Sequence, residues 1–208
     1  MNSPIQMLID GQLALFVIFA AILVLALSLH EFGHALAADL QGDRTARLAG
    51  RLTLNPLKHL DPFGTFALLF AGFGWGKPVP FSPRALRNQR FGPAIVGFAG
   101  PIVNIVLAFM FAALYGGLRP GPGSTLETLL IVGVQLNVVL AIFNLMPIPP
   151  LDGSRILSAV LPPSKQHIVY FLDKWGFVLL LVFVFFLFRP VLGPLITFST
   201  RRLLLLFL

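Results

Sequence analysis

The 208 residues are 57% hydrophobic and only 11% charged, with a mean hydropathy of +0.88. A water-soluble domain usually carries about 25% charged residues, so the composition excludes an ordinary soluble domain and implies a polytopic membrane protein. The net charge of +7 does not point to nucleic acid, because the basic residues sit in short loops between apolar runs; the absence of cysteine excludes disulfides and thiolate metal sites.

In chain order, the first apolar run predicts a helix from about Gln12 to about Leu40, with Gly42 as its stop. No basic residue precedes the run, and it is longer than a signal-peptide core, so it is expected to stay on the chain. Leu13 to Ser28 carry no charge, and then His30, Glu31 and His34 appear before the helix ends. From Arg44 to Pro56 the pattern changes: Leu48, Gly50, Leu52 and Leu54 alternate with Arg47, Ala49, Arg51 and Thr53, which predicts a strand. The apolar stretch Phe63 to Phe73 is too short to span and has basic loops on both sides, which predicts a re-entrant segment. Gly74 to Pro80 follows as an irregular loop.

A full span is expected from about Pro93 to Leu118, a turn at Arg119 to Gly123, and a further span from about Leu126 to Met146. Pro147, Pro149 and Pro150 then break the helix, since each lacks a backbone N–H. A last apolar region runs from about Trp175 to Phe188, where Arg189-Pro190 interrupts it. The remainder from Val191 either crosses or lies along the interface. The expected fold is all-α and polytopic, with four to six transmembrane helices and a small re-entrant β element. Residues 1–208 form a single membrane-embedded domain without internal repeats.

Loop charge sets the orientation. Arg44, Arg47, Arg51 and Lys58 follow the first helix, and Lys77, Arg84, Arg87 and Arg90 precede the next full span. Both groups belong on the cytoplasmic side. His30 and Asp152 then fall toward the same face, although each was placed by different loops.

His30-Glu31-Phe32-Gly33-His34 is an H-E-x-x-H motif. Residues i and i+4 share a helix face, so both imidazoles can meet one zinc ion. Glu31, about 100° round the helix, can reach a water on that ion. The chain has two glutamates and four histidines, and one Glu and two His fall within five residues of a membrane helix. Ionisable groups at that depth cost several kcal/mol and are functional candidates; the bland alternative is a polar helix end meeting headgroups. A catalytic zinc needs a third protein ligand. Asp39, Asp43, Asp61, Asp152, Asp173, Glu127, His59 and His167 are available, and Asp152 stands out because prolines unwind the chain just before it. By spacing alone it could equally cap the helix that begins at Gly153.

Taken together, His30 to His34, Gly100-Pro101-Ile102-Val103-Asn104, and the stretch from Asn144 to Leu151-Asp152-Gly153 resemble the site-2 protease family of intramembrane metalloproteases. Asn55 to Pro62 and Gly76 to Pro80 look like its small bacterial and archaeal members, without PDZ or CBS domains. The resemblance covers nearly the whole chain. It implies one zinc per chain held by His30, His34 and Asp152, with Glu31 as general base. It implies cleavage of a peptide bond in or near a transmembrane segment of another protein, in a prokaryotic cell membrane, with the site toward the cytoplasm.

Asn104 and Asn144 can serve as interhelical hydrogen-bonding groups or can hold the substrate backbone and its oxyanion; the resemblance favours the second. Asn137 reads as a packing contact, and His59 and Asp61 as turn or headgroup contacts. An exposed strand over Leu48 to Leu54 could hold an extended peptide by β-addition. The competing functions are a membrane zinc carrier or sensor and an inactive scaffold. A carrier needs a polar path, which Leu13 to Leu27 do not offer, and a scaffold has no need of Glu31. The oligomeric state is not legible.

Overall fold

Apolar runs of spanning length must satisfy their backbone groups internally, so they fold as helices. The computed structural model describes residues 4–71 and 74–208. A short α1 (Pro4–Ile9) precedes the long α2 (Leu13–Leu40), which is followed by α3 (Thr45–Leu48) and α4 (Pro62–Ala71). Then come α5 (Gly92–Leu118), α6 (Thr125–Asn144), α7 (Gly153–Val160) and α8 (Gln166–Val182). A π-helical stretch, Phe183–Leu192, joins α8 to α9 (Gly193–Leu205). Four helical segments, Leu13–Leu40, Gly92–Leu118, Thr125–Asn144 and Pro163–Leu205, are long and apolar enough to cross a membrane. That is the lower end of the expected range.

The interior is built where α2, α5 and α6 meet. Ile18, Phe19, Ile22 and Leu23 of α2 pack with Leu136 of α6 and Met7 of α1. Ala108 and Ala112 of α5 pack with Val134 and Val138 of α6 and with Phe183, Leu192 and Ile196. Small residues set the helix separations, as is usual where lipid offers no hydrophobic drive. A Cβ on Gly133 would lie 2.5 Å from the Phe111 ring, and one on Gly33 would lie 2.8 Å from Val103.

The last forty residues answer a question the sequence left open. Gly176 of α8 lies against Pro149, the Phe188 ring meets Phe143 at 5.8 Å, and Phe207 reaches Gly116 near the far end of α5. Pro163–Leu205 is therefore a single continuous helical rod, long and apolar enough to cross a membrane. Arg189-Pro190 does not break it. The proline has no N–H to give, and the helix widens into π geometry around it.

The strand expected over Leu48 to Leu54 does not form among the described residues. Thr45–Leu48 is a helical turn, Gly50 takes a left-handed φ of 65°, and residues 51–55 run as bends and coil. The alternation is not kept either, because Leu48 and Leu54 face outward, Leu52 packs against Ala35, Ala46 and Val79, and Arg51 is buried. An extended segment needs a partner for its backbone groups. The pairing seen here is instead an isolated antiparallel bridge between Leu60 and Gly76. The stretch expected to be re-entrant is helical as α4, whose ten residues reach about 15 Å, half a hydrocarbon core. Its expected end, Gly72 and Phe73, lies outside the described residues.

Candidate metal centre

The i, i+4 spacing on α2 brings the two imidazoles to one side, with ring centroids 4.6 Å apart and planes at 85°. His30 Nε2 and His34 Nε2 stand 3.0 Å from each other, and Asp152 Oδ2 stands 3.1 Å from each. All three residues are buried. Gly100 on α5 forms the floor, since a Cβ there would lie 2.4 Å from His34 Nε2 and 2.6 Å from His30 Nε2. Asp152 arrives from the turn after α6, and its side chain makes no capping bond to α7. Its carboxylate is turned to the histidines instead.

The donor set fits zinc. Two imidazole nitrogens and one carboxylate oxygen, with an open fourth position, form a catalytic zinc set. Tetrahedral bonds of about 2.0–2.1 Å place ligands roughly 3.3 Å apart, close to the separations seen. Each ring also has its other nitrogen anchored on an oxygen: His34 Nδ1 lies 2.6 Å from the Val96 carbonyl and His30 Nδ1 lies 2.5 Å from Asn104 Oδ1. Both oxygens accept from Nδ1–H, leaving both Nε2 lone pairs free for a metal. Among the described residues this is the one group of three His, Asp or Glu donors close enough to share an ion.

Glu31 lies beside this triangle on the same helix. Its Oε2 is buried without a hydrogen-bond partner, and its Oε1 faces Gly76, 3.4 Å from where a Cβ would stand. Residues 43–61 and 74–82 cover it with a small polar fold. Arg51 Nη2 donates to the Lys77 carbonyl, Lys77 N donates to the His59 carbonyl at 2.7 Å, and His59 Nε2 donates to the Thr53 carbonyl at 2.8 Å. Asp43 accepts from Thr45 N and Oγ1 and from Ser82 N. Burial lowers the Arg51 pKa, against the attraction of Glu31.

The remaining candidates lie elsewhere. Asp39 pairs with Arg47 at 2.6 Å, Asp61 accepts from Gly64 N at the start of α4, and Glu127 accepts from Gly123 N. His167 and Asp173 are exposed. His59 is fully buried in the cover and does not sit at a headgroup. Asn144 donates to the Leu140 carbonyl of its own helix. Asn104 is fully buried, with its oxygen on His30 and its amide 2.9 Å from Asn137 Oδ1. Asn137, Arg51, Gly100 and the Val96 carbonyl were not singled out as site groups from sequence. A carboxamide in the middle of an apolar span was the one available signal for Asn137.

The model of peptidase family M50 matches residues 18–120 and 121–184. "Putative zinc metalloprotease YwhC" of Bacillus subtilis is 42% identical over 193 residues, covering 89% of this chain and 88% of that one. "Putative zinc metalloprotease Rip2" of Mycolicibacterium smegmatis is 33% identical over 179 residues, covering 83% and 68%. Rip2 of Mycobacterium tuberculosis H37Rv is 32% identical over 176 residues, covering 80% and 66%. No solved structure matches the chain. With four spanning helices around an H-E-x-x-H centre, the chain belongs to peptidase family M50, the site-2 proteases, and is an integral membrane zinc metalloprotease.

Proposed function

We propose that the chain, as one domain over residues 1–208, is an intramembrane endopeptidase. It hydrolyses a peptide bond in or near a transmembrane segment of a membrane-protein substrate, within regulated intramembrane proteolysis. His30, His34 and Asp152 are its zinc ligands and Glu31 its general base. The site faces the cytoplasm of a prokaryotic cell, across the inner membrane. The observation that carries this reading is the triangle of donor atoms at 3.0–3.1 Å, assembled from α2 and the turn after α6, with Glu31 next to it.

Zinc, when bound, supplies a Lewis acid that lowers the pKa of water toward 7 and polarises a carbonyl. The residues do the rest. Glu31 accepts the proton of the attacking water as its oxygen joins the carbonyl carbon, then passes that proton to the amide nitrogen as the C–N bond breaks. The Nδ1–H bonds of His30 and His34 keep their Nε2 atoms aimed inward. Asn104 serves His30 from behind, because both ends of its carboxamide are engaged inside the protein. The bonded cover over Glu31 leaves it half-buried, which limits bulk water around it and strengthens each charge interaction there.

A zinc carrier would need polar groups continuing along α2. Beyond Ser28, whose hydroxyl donates to the Val24 carbonyl, α2 buries Leu23, Ile22, Phe19 and Ile18. That apolar packing favours the protease.

The test uses zinc analysis and cleavage of a transmembrane substrate in detergent. Glu31→Gln should keep zinc and lose cleavage by about 10²–10⁴-fold. Asp152→Ala should lose zinc. Zinc bound by wild type with no cleavage of any membrane substrate would favour the carrier, and undiminished zinc in Asp152→Ala would remove Asp152 from the ligand set.

A further inference from the structure

Both imidazoles turn Nδ1 toward an oxygen, but the two oxygens differ in kind. His34 faces the backbone carbonyl of Val96, which can only accept a hydrogen bond. His30 faces the carboxamide of Asn104, which has an acceptor end and a donor end. Turned over, Asn104 would present an N–H to His30 Nδ1. The imidazole proton would then have to sit on Nε2, and the lone pair that a metal needs would be gone.

What sets the orientation of Asn104 lies one helix further away. Asn104 Nδ2 donates to Asn137 Oδ1 at 2.9 Å, and Asn137 Nδ2 donates to the Gly133 carbonyl at 2.9 Å. Asn104 and Asn137 are both fully buried. A longer contact from Asn104 Nδ2 to the Ala26 carbonyl, at 3.4 Å, acts in the same sense. The Gly133 carbonyl is backbone and cannot become a donor. It therefore fixes which end of Asn137 points back along α6. That choice turns the oxygen of Asn137 toward α5, which fixes Asn104, and Asn104 in turn fixes His30. Close packing of α6 on Phe111 of α5, where Gly133 has no room for a Cβ, holds the two carboxamides in register.

We infer that Asn137 is a positioning residue, transmitting the acceptor character of the Gly133 carbonyl through Asn104 to His30 and so keeping the lone pair of His30 on Nε2. His34 receives the same instruction directly from Val96. An ordinary interhelical glue role would be met by either orientation of the two carboxamides, whereas this role is met by one. The inference rests on the reading of His30 as a zinc ligand.

The test combines zinc affinity by chelator competition with ¹⁵N-histidine NMR of zinc-stripped protein in detergent, well above the ordinary imidazole pKa. Only four histidines are present, so the spectrum is simple. Wild type should show His30 and His34 as Nδ1–H tautomers. Asn137→Leu, which removes the acceptor at similar volume, should shift His30 toward Nε2–H, leave His34 unchanged and weaken zinc binding about tenfold. Asn137→Ser keeps a hydroxyl that can donate to the i−4 carbonyl and still accept, and should restore most of the affinity. Wild-type affinity and an unshifted His30 tautomer in Asn137→Leu would overturn the inference. If that variant does not fold, an Nε2–H signal from His30 in wild type overturns it. Absence of zinc from wild type would fail the ligand reading itself, a separate result.

Discussion

A methyl group on Gly100 would stand within 2.6 Å of both imidazole Nε2 atoms, in the space where those donors meet. Alanine is otherwise the better helix former by about 1 kcal/mol, so Gly100→Ala should keep α5 helical by circular dichroism. It should nevertheless cut zinc affinity by about tenfold or more; full zinc content in that variant would mean the donors have slack that the geometry does not show. His30, Glu31 and His34 were legible because helical spacing alone puts them together. Asp152 was only half legible. Its position after a proline-broken span suits a cap as well as a ligand, and the structure decides against the cap because no capping bond is made. Asn137 was passed over because sequence does not reveal that a neighbouring span brings Asn104 to the same depth.

At the scale of elements, residues 44–56 show what periodicity misses. Alternation implies a strand when a partner strand exists to take its backbone bonds, and the described chain offers none there. The segment and its flanks instead bury the polar side chains Asp43, Arg51 and His59 and use them to bond loop backbone. Asp43 gives this a pH dependence. Burial raises its pKa, but hydrogen bonds from Thr45 and Ser82 outweigh that and leave it depressed. A depressed carboxyl contributes its full stabilisation above the unfolded value near about 3.9 and loses it as pH falls through the lower folded value. Asp43→Ala leaves the Ser82 and Thr45 donors unmet and should destabilise the cover by about 1–3 kcal/mol at neutral pH. The difference from wild type, followed by hydrogen exchange in residues 43–61, should shrink in acid. A constant difference down to about pH 2 would assign the stabilisation to packing rather than to the carboxylate.

Across the whole molecule, the three candidate spans α2, α5 and α6 were legible from length and hydropathy, and loop charge proposes an orientation for them. The C-terminal rod was not, because Arg189-Pro190 looks like an end and is instead a π-widened passage. The proposed orientation can be checked on a chain that has no cysteine of its own. Asn88→Cys and Ser164→Cys, both exposed, should resist a membrane-impermeant maleimide on intact cells. Gly121→Cys, at the opposite end of α5, should react with it. Reversed labelling would put the active site on the outer face.

The placement of Asp152 and Glu31 beside the same histidine, His34, has an electrical consequence. Counted formally, with each imidazole neutral as a metal ligand and both carboxylates ionised, the side chains sum to −2, and a zinc ion would bring +2. The loaded centre is therefore uncharged as a unit, which is the form a low-dielectric membrane interior tolerates best. Without an ion the same formal count is −2, and Arg51 is the nearby cation attracted to Glu31. The ion thus balances the charge that its own binding site imposes on the bilayer.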